Sequence, residues 1–348
     1  MTRILVATDA WKPQINGVVR SLESVARALY EFGAEIEFLT PQDFTTIPLP
    51  TDHEIRLALA SCRSVEKRLD GAAIDHIHIA TEGPIGFAAR RYCLRMKRPF
   101  TTSYHTRFPE YIATRTRIPE SVTYAFLRRF HNAGCGVMVS TASIADDLNK
   151  RGFQRLMHWS RGVDHRQFTP AKAEAFDLPR PIFLYAGRLA PEKNVEAFLE
   201  LDLPGSKVLV GDGPSRRALQ AAYPEAHFLG TKTGDALAVQ YASADVFVFP
   251  SRTDTFGMVL IEALACGLPV AALPVPGPLD VIGTSGAGVL DFDLRAACLA
   301  ALDIPREKAR AHALTFTWAN SARQFLDNIL LAKSGDQCCL TASPGLSG

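Results

Sequence analysis

Short apolar, β-branched runs alternate along this chain with stretches whose apolar residues recur every three or four positions. Residues 3–8, 35–40, 74–80, 99–104 and 136–140 read as strands, and 17–32, 84–96, 121–133 and 142–151 read as helices. Strand runs separated by helical patterns are crossover units, and crossovers of that length join parallel strands. The expected result is a mostly parallel α/β sheet covered on both faces.

The alternation restarts after Arg161-Gly162-Val163-Asp164-His165. Strands at 181–186, 207–210, 226–229, 245–249 and 268–272 interleave with helices at 192–199, 214–222, 234–242 and 256–265. Residues 168–181 hold three prolines and no strong period, which places the domain junction within 162–180. The organisation predicted is a domain at 1–165, a second at 166–316, an amphipathic helix in 317–333 and a polar tail, 334–348, expected to be disordered. Open α/β sheets bind ligands at the carboxyl ends of their strands, and two doubly wound domains facing across a cleft can close on a substrate.

Composition supports a large folded protein. The 348 residues are 47% hydrophobic and 21% charged, too apolar for disorder and sufficient for two cores. No run approaches the roughly 18 apolar residues of a membrane-spanning helix. Met1-Thr2-Arg3-Ile4-Leu5 enters a strand pattern without a signal-peptide segment, so a cytoplasmic location is expected. Seven cysteines without a CxxC pair argue for buried thiols rather than a disulfide framework or a zinc site.

The net charge of +2 hides an asymmetry. Residues 1–165 hold 22 Lys/Arg against 17 Asp/Glu, whereas 166–348 hold 16 against 19. Ten cations fall between Arg90 and Arg129 (Arg90, Arg91, Arg95, Lys97, Arg98, Arg107, Arg115, Arg117, Arg128, Arg129), against Glu110 and Glu120. Such a stretch fits a membrane surface, a phosphorylated acceptor or nucleic acid, and equally a solvated face with no partner. No RNA- or DNA-binding motif accompanies it.

Three groups of residues carry chemistry. Asn16-Gly17-Val18 opens a helix after the first strand, where a glycine lets backbone N–H groups approach a phosphate; glycine-started helices are also common without a ligand. Gly187-Arg188-Leu189-Ala190-Pro191-Glu192-Lys193-Asn194 follows a strand and presents a guanidinium and an ammonium, suited to phosphate oxygens or simply solvated. Asp254-Thr255-Phe256-Gly257-Met258-Val259-Leu260-Ile261-Glu262 sets two carboxylates eight positions apart, one before a helix and one two turns into it. The alternatives for these are an N-cap Asp254 and a helix-surface Glu262.

In this order and spacing, and with Ala263-Leu264-Ala265-Cys266-Gly267-Leu268-Pro269-Val270 completing the signature, the chain resembles glycosyltransferase family 4 over about residues 1–331. The resemblance implies the GT-B fold, with a C-terminal helix crossing back to the N-terminal domain. It also implies transfer of a hexosyl group from a nucleoside-diphosphate sugar with retention of anomeric configuration. No cofactor or metal is implied, since the nucleotide sugar is a substrate and Arg188 and Lys193 supply the charge.

Carried over by the same resemblance, Arg188 and Lys193, on the Gly187 turn, neutralise the donor diphosphate, and the Gly17 backbone caps it from the other domain. Glu262 holds the ribose hydroxyls. Asp254 touches the sugar hydroxyls where the family usually has Glu, one methylene longer. Phe256, Gly257, Met258 and Val259 bring backbone to sugar or phosphate, and Gly211, in Val210-Gly211-Asp212-Gly213-Pro214, lies in the nucleotide-side loop. That loop is not a dinucleotide fingerprint, because Arg216 stands at the third glycine position. His105, in Ser103-Tyr104-His105-Thr106-Arg107-Phe108, lines the reaction centre, or is a polar core residue. Glu82, in Thr81-Glu82-Gly83-Pro84, binds an acceptor hydroxyl or caps the helix from Pro84. Arg107 belongs to the acceptor side, and residues 161–164 resemble the interdomain hinge.

Asp291-Phe292-Asp293 has the form of a metal–diphosphate motif of another transferase fold, but its place late in the chain suits a loop. His76 and His78 share a strand face without further metal ligands and read as packing residues. The expected activity is transfer from UDP-glucose or UDP-glucuronate to a lipid such as diacylglycerol at an anionic membrane surface. The alternatives are a GDP-mannose-dependent α-mannosyltransferase acting on a lipid or glycan, and a non-catalytic sugar-nucleotide-binding protein. A sugar-nucleotide epimerase of the same fold does not match the spacing around Asp254 and Glu262.

Overall fold

The computed structural model describes residues 1–13, 17–49, 52–116, 118–173 and 176–334. Asn16, Arg117 and the tail 335–348, with Cys338 and Cys339, lie outside them. The chain forms two compact units: Met1–Ser160 together with residues 318–334, and Arg161–Thr317.

Unit 1 contains β1 (Thr2–Ala7), β2 (Ala34–Leu39), the hairpin β3 (Thr46–Leu49) and β4 (Asp52–Ala58), then β5 (His76–Ile79), β6 (Phe100–Tyr104), β7 (Gly136–Val139) and β8 (Leu156–His158). Six of these form one parallel sheet in the order β2-β1-β5-β6-β7-β8. Every residue of β5, β6 and β7 is buried, as a parallel sheet covered on both faces requires. The chain winds one way from β1 to β2 and the other way across β1 to β5, so the carboxyl edge between β1 and β5 is the switch point of this sheet.

The helix Trp318–Lys333 completes this unit by packing on the helix Gly17–Leu29. Phe325 lies against Trp159 with ring centroids 4.9 Å apart. Trp159 Nε1 donates to Ser321 Oγ at 3.1 Å, and Ser160 N donates to Gln324 Oε1 at 2.8 Å. A segment far off in sequence thus fills the core beneath β1, β5 and β7.

Unit 2 contains β9 (Ile182–Ala186), β10 (Ser206–Val210), β11 (His227–Phe228), β12 (Val246–Phe249), β13 (Val270–Ala272) and β14 (Gly288–Leu290), ordered β11-β10-β9-β12-β13-β14 and all parallel. The winding reverses between β9 and β12. Their carboxyl ends carry the two loops that hold Arg188, Lys193 and Asp254.

Cys62, Cys93, Cys266 and Cys298 are free, and burial pushes the last three up to about 12.

Candidate functional site

In unit 2 the site is built on two loops that touch through backbone. Gly187 ends β9 at φ 156°, and Gly211 ends β10 at φ 140°. A Cβ on Gly211 would overlap the carbonyl oxygen of Gly187, so the approach of the two loops requires glycine there whether or not a ligand is bound. Gly187 N donates to Val210 O at 2.9 Å, and Leu189 N donates to Asp212 O at 2.9 Å. Arg216, at the missing third glycine, forms an ion pair with Asp212 at 2.7 Å.

The turn Pro191–Lys193 ends on Asn194 in the left-handed conformation, φ 53°. The Asn194 side chain donates to Pro250 O at 3.0 Å and so latches the β9 loop to the β12 loop. Across that latch Lys193 Nζ lies 2.6 Å from Asp254 Oδ1, with both side chains mostly buried. Asp254 therefore serves Lys193 rather than capping the following helix, whose N-cap, Gly257, has no side-chain cap bond. Asp254 Oδ2, Ser251 Oγ and Thr253 Oγ1 are buried and make no hydrogen bond among the described residues. Three polar atoms within four residues thus depart from the usual satisfaction of buried polar groups.

The helix Met258–Ala265 fixes the rest. Phe256, Leu260 and Ile261 enter the core, and the Phe256 ring packs edge-on to Phe316 at 6.1 Å. Met258 and Val259 are half-buried beside that core. Glu262 is 2% exposed, which overturns the helix-surface alternative, and Tyr241 Oη donates to its Oε2 at 3.3 Å. Arg188 is exposed at the mouth of the β9 loop, where its carbonyl accepts from Tyr185 Oη at 2.9 Å. Burial, then the charges of Asp254 and Glu192, push the Tyr185 phenol upward, so it stays a neutral donor.

In unit 1 the loops after β1 and β5 meet at the carboxyl edge, joined by Thr81 and Asp9. Asp9, which sequence reasoning missed, accepts from Ile85 N at 2.8 Å, Gly86 N at 3.2 Å and Thr81 Oγ1 at 2.9 Å. It is thus Asp9 that caps the helix Pro84–Arg95, which corrects the capping alternative for Glu82. Burial raises the Asp9 pKa against these bonds. Glu82 instead turns inward to His131 Nε2 at 3.0 Å, and His131 Nδ1 meets Thr102 Oγ1 at 2.8 Å. Nothing in the sequence marked His131. His105, half-buried, sets its ring against Trp159 at 5.7 Å. Gly17 is exposed at the start of its helix. Arg107 is paired with Glu110 at 2.9 Å and Asp147 at 3.5 Å, so its charge is engaged within the fold.

The basic stretch is likewise partly spent. Arg90 donates to the carbonyls of Arg129 and Phe130, Arg98 to that of Ile74 and Arg128 to that of Arg151, while Arg95 pairs with Glu66. Arg91, Lys97 and Arg129 are exposed. Beside them Phe87, Val122 and Phe126 are 37%, 58% and 55% exposed, with the Phe87 and Phe126 rings 5.4 Å apart.

The remaining motifs are structural. Asp293 caps the helix Leu294–Ala301 through Ala296 N at 3.1 Å, so the Asp291–Asp293 motif is a loop and cap. His76 and His78 share Thr101 Oγ1 at 3.0 and 2.9 Å inside the sheet, and His78 also meets Ser103 Oγ at 2.8 Å. Arg161, in the hinge-like segment, is buried, and burial pushes its pKa down to about 9.

Comparison with known proteins adds the family context. The model described as Glycosyltransferase Family 4 matches residues 15–167, and that described as Glycosyl transferases group 1 matches 180–303. A GDP-mannose-dependent alpha-mannosyltransferase of Mycobacterium tuberculosis is 31% identical over 326 residues, covering 83% of each chain. An alpha-monoglucosyldiacylglycerol synthase of Streptococcus pneumoniae is 26% identical over 86% of this chain and 78% of its own. Among solved structures, sucrose-phosphate synthase of Thermosynechococcus elongatus superposes with a TM-score of 0.76 at 20% identity, covering 96% of this chain and 100% of that one.

Proposed function

From the premise that this chain belongs to glycosyltransferase family 4 and has the GT-B fold, we propose that it transfers a hexosyl group from a nucleoside-diphosphate sugar to a lipid hydroxyl, with retention of configuration. The observation that carries the donor side is the Lys193–Asp254 pair at the β9/β12 switch point, ringed by unmet polar atoms. A diphosphate approaching Lys193 is a stronger partner for the ammonium than one carboxylate. As the glycosidic bond breaks, charge grows on the leaving diphosphate, and Arg188 and Lys193 stabilise that growth.

Asp254, released from Lys193, is free to accept hydrogen bonds from sugar hydroxyls. Glu262 accepts from the ribose hydroxyls, and the N–H groups around Gly257 and Met258 reach sugar or phosphate. In unit 1, the family resemblance assigns Gly17 and His105 donor roles and Glu82 the acceptor hydroxyl. The departing diphosphate takes the acceptor proton on the same face, so positioning and charge stabilisation carry the catalysis. The chain itself supplies the charge, so the reading needs no cofactor or metal.

A lipid acceptor is supported by the exposed Phe87, Val122 and Phe126 beside Arg91 and Arg129, a pattern suited to peripheral contact with an anionic cytoplasmic membrane face. A relative named for diacylglycerol glycosylation adds to it. Among the described residues no helix is long and apolar enough to cross a membrane. UDP-glucose or UDP-glucuronate is the donor first proposed. GDP-mannose is the second reading, favoured by the 31% identity to a GDP-mannose-dependent enzyme.

The test is a donor screen with these three nucleotide sugars against diacylglycerol and total lipid extract, read by product mass spectrometry. A hexosyl lipid supports the proposal. Transfer only to a soluble glycan removes the lipid acceptor, and donor binding without transfer reduces the chain to a binding protein.

A further inference from the structure

Glu82 has 6% of its side chain exposed, yet it sits in the loop after β5, at the ligand-binding edge of the unit 1 sheet. A buried carboxylate is costly unless its oxygens are met. One is met by His131 Nε2 at 3.0 Å, whose side chain is wholly buried. The ring lies among Tyr104, Phe130 and Phe153, with centroids 6.0, 5.1 and 5.8 Å away, and in so apolar a setting each hydrogen bond counts for more.

A neutral imidazole offers one donor and one acceptor. To donate from Nε2 to Glu82, His131 must accept at Nδ1, and the Thr102 hydroxyl lies there at 2.8 Å. Thr102 is fixed in β6 through its pairing with Ile79 of β5 and Val137 of β7. In the neutral tautomer that donates to Glu82, the hydrogen bonds therefore run from the Thr102 hydroxyl through His131 to the carboxylate, from the rigid sheet to the loop. Without the hydroxyl the other tautomer becomes available, and its nitrogen lone pair would face the carboxylate.

We propose that His131 is a positioning residue: with Thr102 it locks the Glu82 carboxylate in the orientation that receives the acceptor hydroxyl. The inference rests on the acceptor role of Glu82 given above and adds what holds that group in place.

The experiment measures acceptor KM, donor KM and kcat with diacylglycerol in phosphatidylglycerol vesicles and whichever of UDP-glucose, UDP-glucuronate or GDP-mannose the full chain turns over. Glu82→Gln, Thr102→Val, His131→Phe and His131→Gln are compared. Thr102→Val and His131→Phe are expected to raise acceptor KM roughly tenfold with donor KM moved less than about twofold, the size of one lost charge-assisted hydrogen bond. His131→Gln, which retains a donor toward Glu82, should recover part of that loss. The double variant His131→Phe/Glu82→Gln should be no worse than Glu82→Gln alone.

If Glu82→Gln raises acceptor KM while Thr102→Val and a folded His131→Gln both behave as wild type, His131 does not position Glu82, though the acceptor reading stands. If Glu82→Gln leaves acceptor KM unchanged, or no lipid is glycosylated, the acceptor reading itself fails and takes the inference with it. Equal effects on donor and acceptor KM would mark His131 as a core residue only.

Discussion

The Lys193 ammonium and the Asp254 carboxylate stand 61 residues apart in sequence and 2.6 Å apart in the fold. Two loops from adjacent parallel strands bring them together, and the Asn194 to Pro250 hydrogen bond holds those loops in register. The pair satisfies one oxygen of Asp254 and leaves the other unmet. On the reading proposed above, the donor diphosphate displaces that carboxylate from the ammonium.

Changing Asp254 probes the sugar side of that arrangement. Asp254→Asn removes the charge that holds Lys193 and should lower kcat/KM by about tenfold to a hundredfold. Asp254→Glu keeps the charge and adds a methylene of reach, so it should alter the ratio of kcat/KM between donor sugars more than the turnover of the best one. Steady-state kinetics on UDP-glucose, UDP-glucuronate and GDP-mannose read both effects.

Gly211→Ala tests the loop contact beneath the site. Its Cβ would collide with the Gly187 carbonyl, a backbone atom that cannot swing aside. A loss of about 2–4 kcal/mol is expected from the clash together with the unfavourable φ. Urea unfolding followed by tryptophan fluorescence measures it, and an unchanged midpoint would show that the two loops are not in contact.

Acid stability should depend on His76. Burial, aided by the charges of Lys333 and Arg98, pushes its pKa from 6.5 down to about 3. Between those values the unfolded chain takes up a proton that the folded chain refuses, so stability rises with pH and is lost as pH falls. Other groups that face the ring, Thr101 and through it His78, are bonded to it in the neutral form. His76→Gln should flatten the slope between pH 6.5 and 3 by at most about 1.4 kcal/mol per pH unit. Unfolding free energies at several pH values in that window check the sign.

Much of the architecture was legible because parallel strands buried on both faces read as apolar runs, as in β6, β7 and β9. What was missed lacks that signal. The hairpin at 46–58 is rich in proline and polar residues. The helix Arg306–Ala313 has only Ala309 and Ala313 in the core, and is held by Arg306 and Arg310 donating to the carbonyls of Ala242, Ala244, His165 and Phe168. The Lys193 and Asp254 that the fold brings together were both legible because they sit in spaced motifs, as do Arg188 and Glu262. Asp9 and His131 were not, since their partners lie 76 and 49 residues away and no local pattern records such contacts.

The most direct measurement compares hexosyl transfer by the wild-type chain and by Lys193→Ala, with the nucleoside diphosphate released and the glycosylated product quantified together. A fall in kcat/KM of about a hundredfold or more, in a variant whose melting temperature stays within a few degrees of wild type, is the predicted result. Undiminished transfer by the folded variant would show that this ammonium does not act on the leaving diphosphate.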